Sequence, residues 1–186
     1  MLSRGYVNDA EKAEVLNSFF ASVFTNENLD NIPDLPPGSW SEGITLSDIL
    51  ITNLAVENKL KSLDSNKAQG PDQIPARVLK ELSRELAFPL TVLFNKSIAT
   101  GIVPDEWKTA EVTAIFKKGS RSDPGNYRPV SLTCITGKVL EAIVRDSIVD
   151  YFNQYGFYSE CQHGFRNKRS CMSQLLQVME RLTLAF

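Results

Sequence analysis

The sequence contains one histidine and three cysteines, and no apolar run extends beyond a few positions. Crossing a bilayer takes about 20 apolar residues in succession, so no membrane span is expected. Met1-Leu2-Ser3-Arg4 does not open a signal peptide, which makes an intracellular chain, cytoplasmic or nuclear, the expectation. Cys134, Cys161 and Cys171 are odd in number and lack framework spacing, as suits reduced thiols better than a disulfide scaffold. Cys161, His163 and Cys171 could be drawn as metal ligands, but no C-x-x-C or H-x-x-x-H pairing accompanies them, so no metal is expected. His163, between Gln162 and Gly164, reads as a turn residue rather than a catalyst. No two aspartates are adjacent, and no phosphate-binding P-loop, nucleophile elbow or H-E-x-x-H helix occurs. Nucleotidyl transfer uses convergent carboxylates to hold two metal ions, whereas Asp146 and Asp150 fall inside a helical pattern as solvent-facing acids. The residues alone nominate no catalytic group and describe a binding module.

A chain of 186 residues that is 42% apolar can bury a core as one compact domain or two small ones. The net charge of −2 is unevenly spread: residues 1–60 carry nine acids against Arg4, Lys12 and Lys59. Residues 107–128 reverse this with Lys108, Lys117, Lys118, Arg121 and Arg128 against Glu111 and Asp123, and residues 161–171 add Arg166, Lys168 and Arg169 with no acid. Such local basic character is what a face for an anionic partner requires.

Asn8 with Glu11 three residues on forms a capping pair ahead of the helical spacing of Val15, Leu16, Phe19, Phe20 and Val23. From Asn26 to Gly43 the Pro, Gly, Asn and Asp content reads as a linker. Thr45 with Asp48 predicts a second helix bearing Leu46, Ile49, Val56, Leu60 and Leu63. Pro75 opens a third with Val78, Leu79, Leu82 and Leu86 buried, Pro89 interrupts or restarts it, and Gly101 stops it. The period then changes to two over Val112, Ala114 and Phe116, and Val130 to Cys134 is β-rich, so the loop between them joins two strands of one sheet. A long helix follows Gly137 and ends near Gly156, and Ser170 caps a last helix with Leu175, Leu176, Met179 and Leu182 on one stripe. The fold class is α+β, mainly helical with a small antiparallel sheet.

Lys117, Lys118, Arg121 and Arg128 gather on the turn of this hairpin. Exposed turn amides with Lys and Arg attract phosphate oxygens, and Arg128 can make a two-pronged contact. Two alternatives remain open at this level. The tip can be a solvated end whose lysines discourage edge pairing, or Tyr127 can pack under the turn while Arg128 pairs with Asp123. The loop holding Arg166, Lys168 and Arg169 can likewise be plain exposed surface.

Read in order, "EKAEVLNSFFASVFT", "NKAQGPDQIPARVLKEL", "GIVPDEWKTAEVTAIFKKG", "DPGNYRPVSLTCITGKVLEAIV" and "QHGFRNKRSC" resemble the reverse transcriptase, or RNA-directed DNA polymerase, of non-LTR retrotransposons. The likeness is to the LINE group, especially jockey-like and CR1-like elements. It implies that residues 1–43 are the segment between endonuclease and polymerase, and that 44–186 are the fingers and the start of the palm of a right-hand polymerase. It implies that Lys117, Lys118 and Arg128 face an incoming triphosphate or the template backbone, that Gln162, Gly164, Phe165 and Arg166 line the template path, and that the partners are an RNA template and a DNA primer. Phe186 precedes the places where the family has its palm aspartates. The expectation is therefore a truncated, catalytically inactive chain with no cofactor of its own, Mg²⁺ belonging to the intact family enzyme. Gln69 and Gln73 replace the family's proline and glycine, which puts in doubt a turn needing glycine at 73, and Asn167-Lys168-Arg169 lacks the family's glycine between basic residues. A helical protein-interaction module, with apolar palm-side surface open to a partner, is the alternative function, as is an element relic without one.

Overall fold

The computed structural model describes residues 8–25, 46 and 49–184. Seven helices and two strands run in the order α1 (Asp9–Ser22), α2 (Asn53–Lys61), α3 (Ala76–Glu81), α4 (Ser83–Thr100), α5 (Asp105–Lys108), β1 (Ala110–Phe116), β2 (Tyr127–Thr133), α6 (Ile135–Gln154) and α7 (Cys171–Leu184) among the described residues. The architecture is mainly helical with one two-stranded antiparallel sheet. The chain divides into two compact units, Met1–Ile143 and Val144–Phe186. The linker expected over 26–43 lies outside the described residues, apart from which no described helix is long and apolar enough to cross a membrane.

In the first unit α1 starts where the capping pair places it. The Glu11 amide donates to Asn8 Oδ1 at 2.9 Å, and the Asn8 amide side chain donates to Glu11 Oε1 at 3.2 Å. Asp9 in the first turn is hydrogen-bonded by Lys12, which lowers its pKa below the usual carboxylate range. The second helix departs from expectation. It begins at Asn53, with Thr52 as its cap (Ala55 N to Thr52 Oγ1, 3.2 Å), and Ile49 to Thr52 are not helical. Thr45 and Asp48 themselves lie outside the described residues. The reason for the late start is tertiary: the Asn95 side chain on α4 accepts from Ile51 N at 3.0 Å and donates to Ile51 O at 2.8 Å. These bonds keep residue 51 outside the helix, with its side chain buried.

Pro89 does not interrupt its helix. The break falls at Leu82, which ends α3 and precedes α4, and α4 runs through Pro89 to Gly101, whose φ of 66° supplies the left-handed stop. The buried residues are Ala76, Leu79, Ser83, Ala87, Thr91, Phe94 and Ser97, while Val78 and Leu82 are exposed. An interior proline forfeits one helix hydrogen bond, and the burial of Ala87, Thr91 and Phe94 on both sides of it offsets that loss. The core lies between α2, α4 and the start of α6, with Val56, Leu60, Phe94, Ile135, Val139 and Leu140 buried. Gly137 is not a helix boundary either: α6 begins at Ile135, and Gly137 is buried where Trp107 packs, so that an added Cβ would stand 3.3 Å from Trp107 Cβ.

Cys134 is buried, its thiol donating to the Glu106 carbonyl at 3.2 Å, and burial above all raises its pKa over the ordinary thiol value. Thiolate is the reactive form. In the native chain a thiol reagent should therefore label the exposed Cys161 and Cys171 and spare Cys134 until denaturant is added. Equal labelling rates for the three would contradict this packing.

In the second unit α6 ends in a Schellman turn. Phe157 N donates to Phe152 O at 3.0 Å, Gly156 sits at φ 66°, and the Phe152 and Phe157 rings meet edge to face at 5.8 Å. Tyr151, Tyr155 and Tyr158 extend this into an aromatic cluster. Ser170 caps α7 as expected, its hydroxyl accepting from Ser173 N at 3.1 Å. The α7 stripe of Leu175, Leu176, Met179 and Leu182 is exposed rather than packed.

Candidate nucleic-acid interface

The hairpin places the first group of expected site residues. Strand pairing sets Ile115 opposite Arg128 and Phe116 opposite Tyr127, and Lys117 N continues the ladder to Asn126 O at 2.8 Å. Paired residues share a face and faces alternate along a strand. Lys117, Ile115 and Arg128 consequently belong to one face, and Phe116, Ala114, Val112 and Tyr127 to the other. The second face looks onto α1 across a cleft of about 600 Å³, lined also by Leu16 and Phe20. The first is open, and Ile115, Lys117 and Arg128 are all exposed on it.

The turn is built by its own side chains. Asp123 Oδ1 accepts from Gly125 N at 2.8 Å, Asn126 Nδ2 donates to Ser120 O at 3.0 Å, and Gly119 takes φ 89°. Tyr127 is buried under the turn, its ring edge-to-face with Phe116 at 5.5 Å and its hydroxyl donating to Arg121 O at 2.9 Å. Asp123 is thus engaged with the turn and forms no ion pair with Arg128. Among the described residues no carboxylate pairs with Lys117, Lys118, Arg121 or Arg128.

The four cations are not one cluster. Arg121 folds its guanidinium over the Phe116 ring, 4.6 Å from the centroid, on the α1 side, where it also lines the cleft. Lys117 and Arg128 share the opposite face, and Lys118 is exposed at the turn between them. Sequence proximity had grouped them; the pleat separates them.

The second group lies in the second unit, and its members differ in how free they are. Arg166 donates to the carbonyls of Ser159 (3.1 Å) and Gln162 (3.4 Å) and lies 5.0 Å from the Tyr158 ring centroid. Arg169 bonds Glu160 Oε2 at 3.1 Å and His163 Nε2 at 3.1 Å. Both therefore brace the loop. Phe165 is fully exposed with a φ of 58°, and Lys168 takes φ 59°, while Gln162 and Gly164 are exposed beside them. The left-handed residue in Asn167-Lys168-Arg169 is thus the lysine. Bulky residues held at positive φ cost roughly 1–3 kcal/mol each and mark segments under constraint. Gln73 is a third such residue, at φ 55°. The turn survives without glycine because Gln73 N bonds Gly70 O at 3.0 Å and its side chain reaches Glu111 Oε1 on β1 at 3.2 Å.

His163 is buried, which the sequence did not indicate. Its Nε2 stands between Arg169 Nη1, a donor, at 3.1 Å and Gln177 Oε1, an acceptor, at 2.8 Å. Nδ1 hydrogen-bonds Ser173 Oγ at 2.7 Å, and that hydroxyl donates to Ser170 O at 2.8 Å. With both nitrogens committed, the ring clamps the loop to α7 rather than serving as a metal ligand. A legible signal existed: Ser173 and Gln177, four residues apart, share the helix face turned from the leucines.

No protein-family model matches the chain. Among known proteins it is similar to a probable RNA-directed DNA polymerase from transposon X-element of Drosophila melanogaster, 33% identical over 123 residues, 66% of this chain and 14% of that protein. It is 28% identical over 130 residues to the RNA-directed DNA polymerase from mobile element jockey of the same species, covering 69% of this chain and 14% of that protein. A putative 115 kDa protein in type-1 retrotransposable element R1DM matches at 30% over 116 residues. The chain is accordingly related to the RNA-directed DNA polymerases, or reverse transcriptases, of transposable elements. Within that class its relatives are those of jockey-like and R1-type non-LTR retrotransposons. It spans about a seventh of the length of the relatives named first.

Proposed function

We propose that this chain is a fingers-and-partial-palm segment of a non-LTR retrotransposon reverse transcriptase, and that it holds phosphate groups of template, primer or incoming nucleotide on the open face of its hairpin. What supports this most is that Lys117 and Arg128 share an exposed sheet face with Lys118 at its end and, among the described residues, no carboxylate paired to any of them. An unpaired cation on a rigid strand attracts phosphate oxygens without first breaking an ion pair, and the guanidinium can grip two of them. Phe165, exposed and held at positive φ, offers a ring on which a base can stack, as in sequence-tolerant single-strand binding. RNA template and DNA primer are the partners on this reading, the setting is cytoplasm or nucleus, and the 186 residues by themselves bind without polymerising. Mg²⁺ would act in the intact enzyme.

Binding to a single-stranded oligonucleotide should weaken as salt rises, by about 0.7 logarithmic units per neutralised phosphate for each tenfold rise in salt. Replacing Lys117, Lys118 and Arg128 together with alanine should flatten that slope by about 2, whereas Arg121→Ala, already engaged with Phe116, should change it little. An unaltered slope in the triple variant contradicts the assignment. Primer extension on an RNA template with Mg²⁺ should give no product from this polypeptide, and a templated product overturns that part.

A second reading rests on α7. Met172, Leu175, Leu176, Met179 and Leu182 recur at helical spacing and are all exposed, a pattern that fits a protein partner over an apolar face. Binding through that face would respond little to salt, which separates it from the hairpin reading.

A further inference from the structure

The first unit contains another basic site, away from the turn of the hairpin. A hollow of about 240 Å³ lies between the end of α2 and the first turns of α6. Lys59 and Ser62 come from α2 and its cap, Asp64 and Lys67 from the turn that follows, and Lys138 from α6, with the buried Val139 as part of its floor. Lys59 has a partner of its own, and Lys67 and Lys138 outnumber Asp64 around a recess too small for a drug-sized molecule but wide enough for a phosphate and its oxygens.

Helix C-termini repel anions because their last carbonyls are unpaired, and here that end is neutralised. The Lys80 ammonium donates to Leu63 O at 2.9 Å, and Ser62 Oγ donates to Lys59 O at 2.8 Å. Asp64 is occupied as well, its Oδ1 accepting from Asn66 N at 3.0 Å in a local turn. Lys67 and Lys138, by contrast, make no side-chain hydrogen bond or ion pair among the described residues. Two lysines from positions 71 apart in the chain line one small hollow, where an anion would meet the charge of both.

We propose that this hollow is a phosphate-binding site, taking either a phosphodiester of a nucleic-acid strand or the phosphate of a free nucleotide. The assignment stands on this geometry alone and survives failure of the hairpin reading. Lysine is the fitting residue, since its compact ammonium meets a phosphate from any direction and imposes no planar fork.

The test uses the full chain with two probes, inorganic pyrophosphate and a single-stranded oligonucleotide. Lys67→Ala with Lys138→Ala should weaken pyrophosphate binding at least tenfold, or flatten the oligonucleotide salt slope by about 1.4; Lys67→Arg with Lys138→Arg should retain both. Loss with pyrophosphate alone assigns the site to a free phosphate, and loss of slope assigns it to a strand. No change in either probe, or equal loss in the arginine variant, overturns the proposal. In the unaltered chain, pyrophosphate should shift the amide resonances of residues 62–67 and 138, and shifts confined to the hairpin also overturn it.

Discussion

Phe94→Ala should lower the stability of the first unit by about 3–5 kcal/mol, the usual cost of removing a fully buried phenylalanine ring. Phe94 has no solvent exposure and meets Trp107 edge to face at 5.7 Å. Trp107 in turn packs against Gly137 in the first turn of α6. The ring thereby links α4, the segment leading into β1, and the helix after β2, so the platform of the hairpin depends on it. With a denaturant slope of about 1–3 kcal/mol per molar urea, the midpoint should fall by roughly 2 M. Phe94→Leu should lose distinctly less, since it retains much of the volume. Aromatic pairs contribute about 0.5–1.5 kcal/mol beyond the area they bury, so a double-mutant cycle with Trp107→Ala should show positive coupling. A midpoint unmoved by Phe94→Ala would remove this residue from the core.

The next largest effect should come from a single methyl group. A Cβ on Gly70 would lie 2.6 Å from both Thr133 C and Cys134 N and 2.7 Å from Cys134 Cα, all backbone atoms at the end of β2. No side chain there can swing aside. Either the loop from Gly70 to Gln73 retreats or the strand end does, and Gly70→Ala should cost about 1–3 kcal/mol, as overpacking does. The effect should reach the candidate interface, because Gln73 hydrogen-bonds Glu111 on β1. A retreating loop breaks that bond, and amide exchange over β1 should quicken beyond what the global loss explains. Gly164→Ala is the contrast: nothing lies within 4 Å of its added Cβ, and stability should stay within about 0.5 kcal/mol. Equal behaviour of the two variants would refute the close approach at Gly70.

Much of the fold could be read locally because its signals are local. Asn8 and Glu11 cap α1, Gly101 and Gly156 end their helices in the left-handed conformation, Ser170 caps α7, and the alternation about Ala114 marks a strand. In each case the residue that carries the signal also makes the bond or adopts the dihedral. The errors arose where two local solutions competed. Thr52 caps α2, and Asn95, more than forty positions away, fixes the chain just before it by binding Ile51. Pro89 suggested a break that the burial of Ala87 and Phe94 suppresses. Gln73 looked unsuited to a glycine turn, yet its own side chain finds Glu111 and secures it.

By itself the sequence determined the longer helices and both strands, that cations gather between the strands, and to which polymerase family the order of blocks points. Hydrogen-bonding caps, side-chain periodicity and charge are properties of short stretches. Only the tertiary structure decided which of those cations can act together: the pleat turns Lys117 and Arg128 to one face and Arg121 to the other, Glu160 and His163 engage Arg169, and α2 and α6 bring Lys67 and Lys138 to one hollow. Charges interact through space, at distances that sequence separation does not encode.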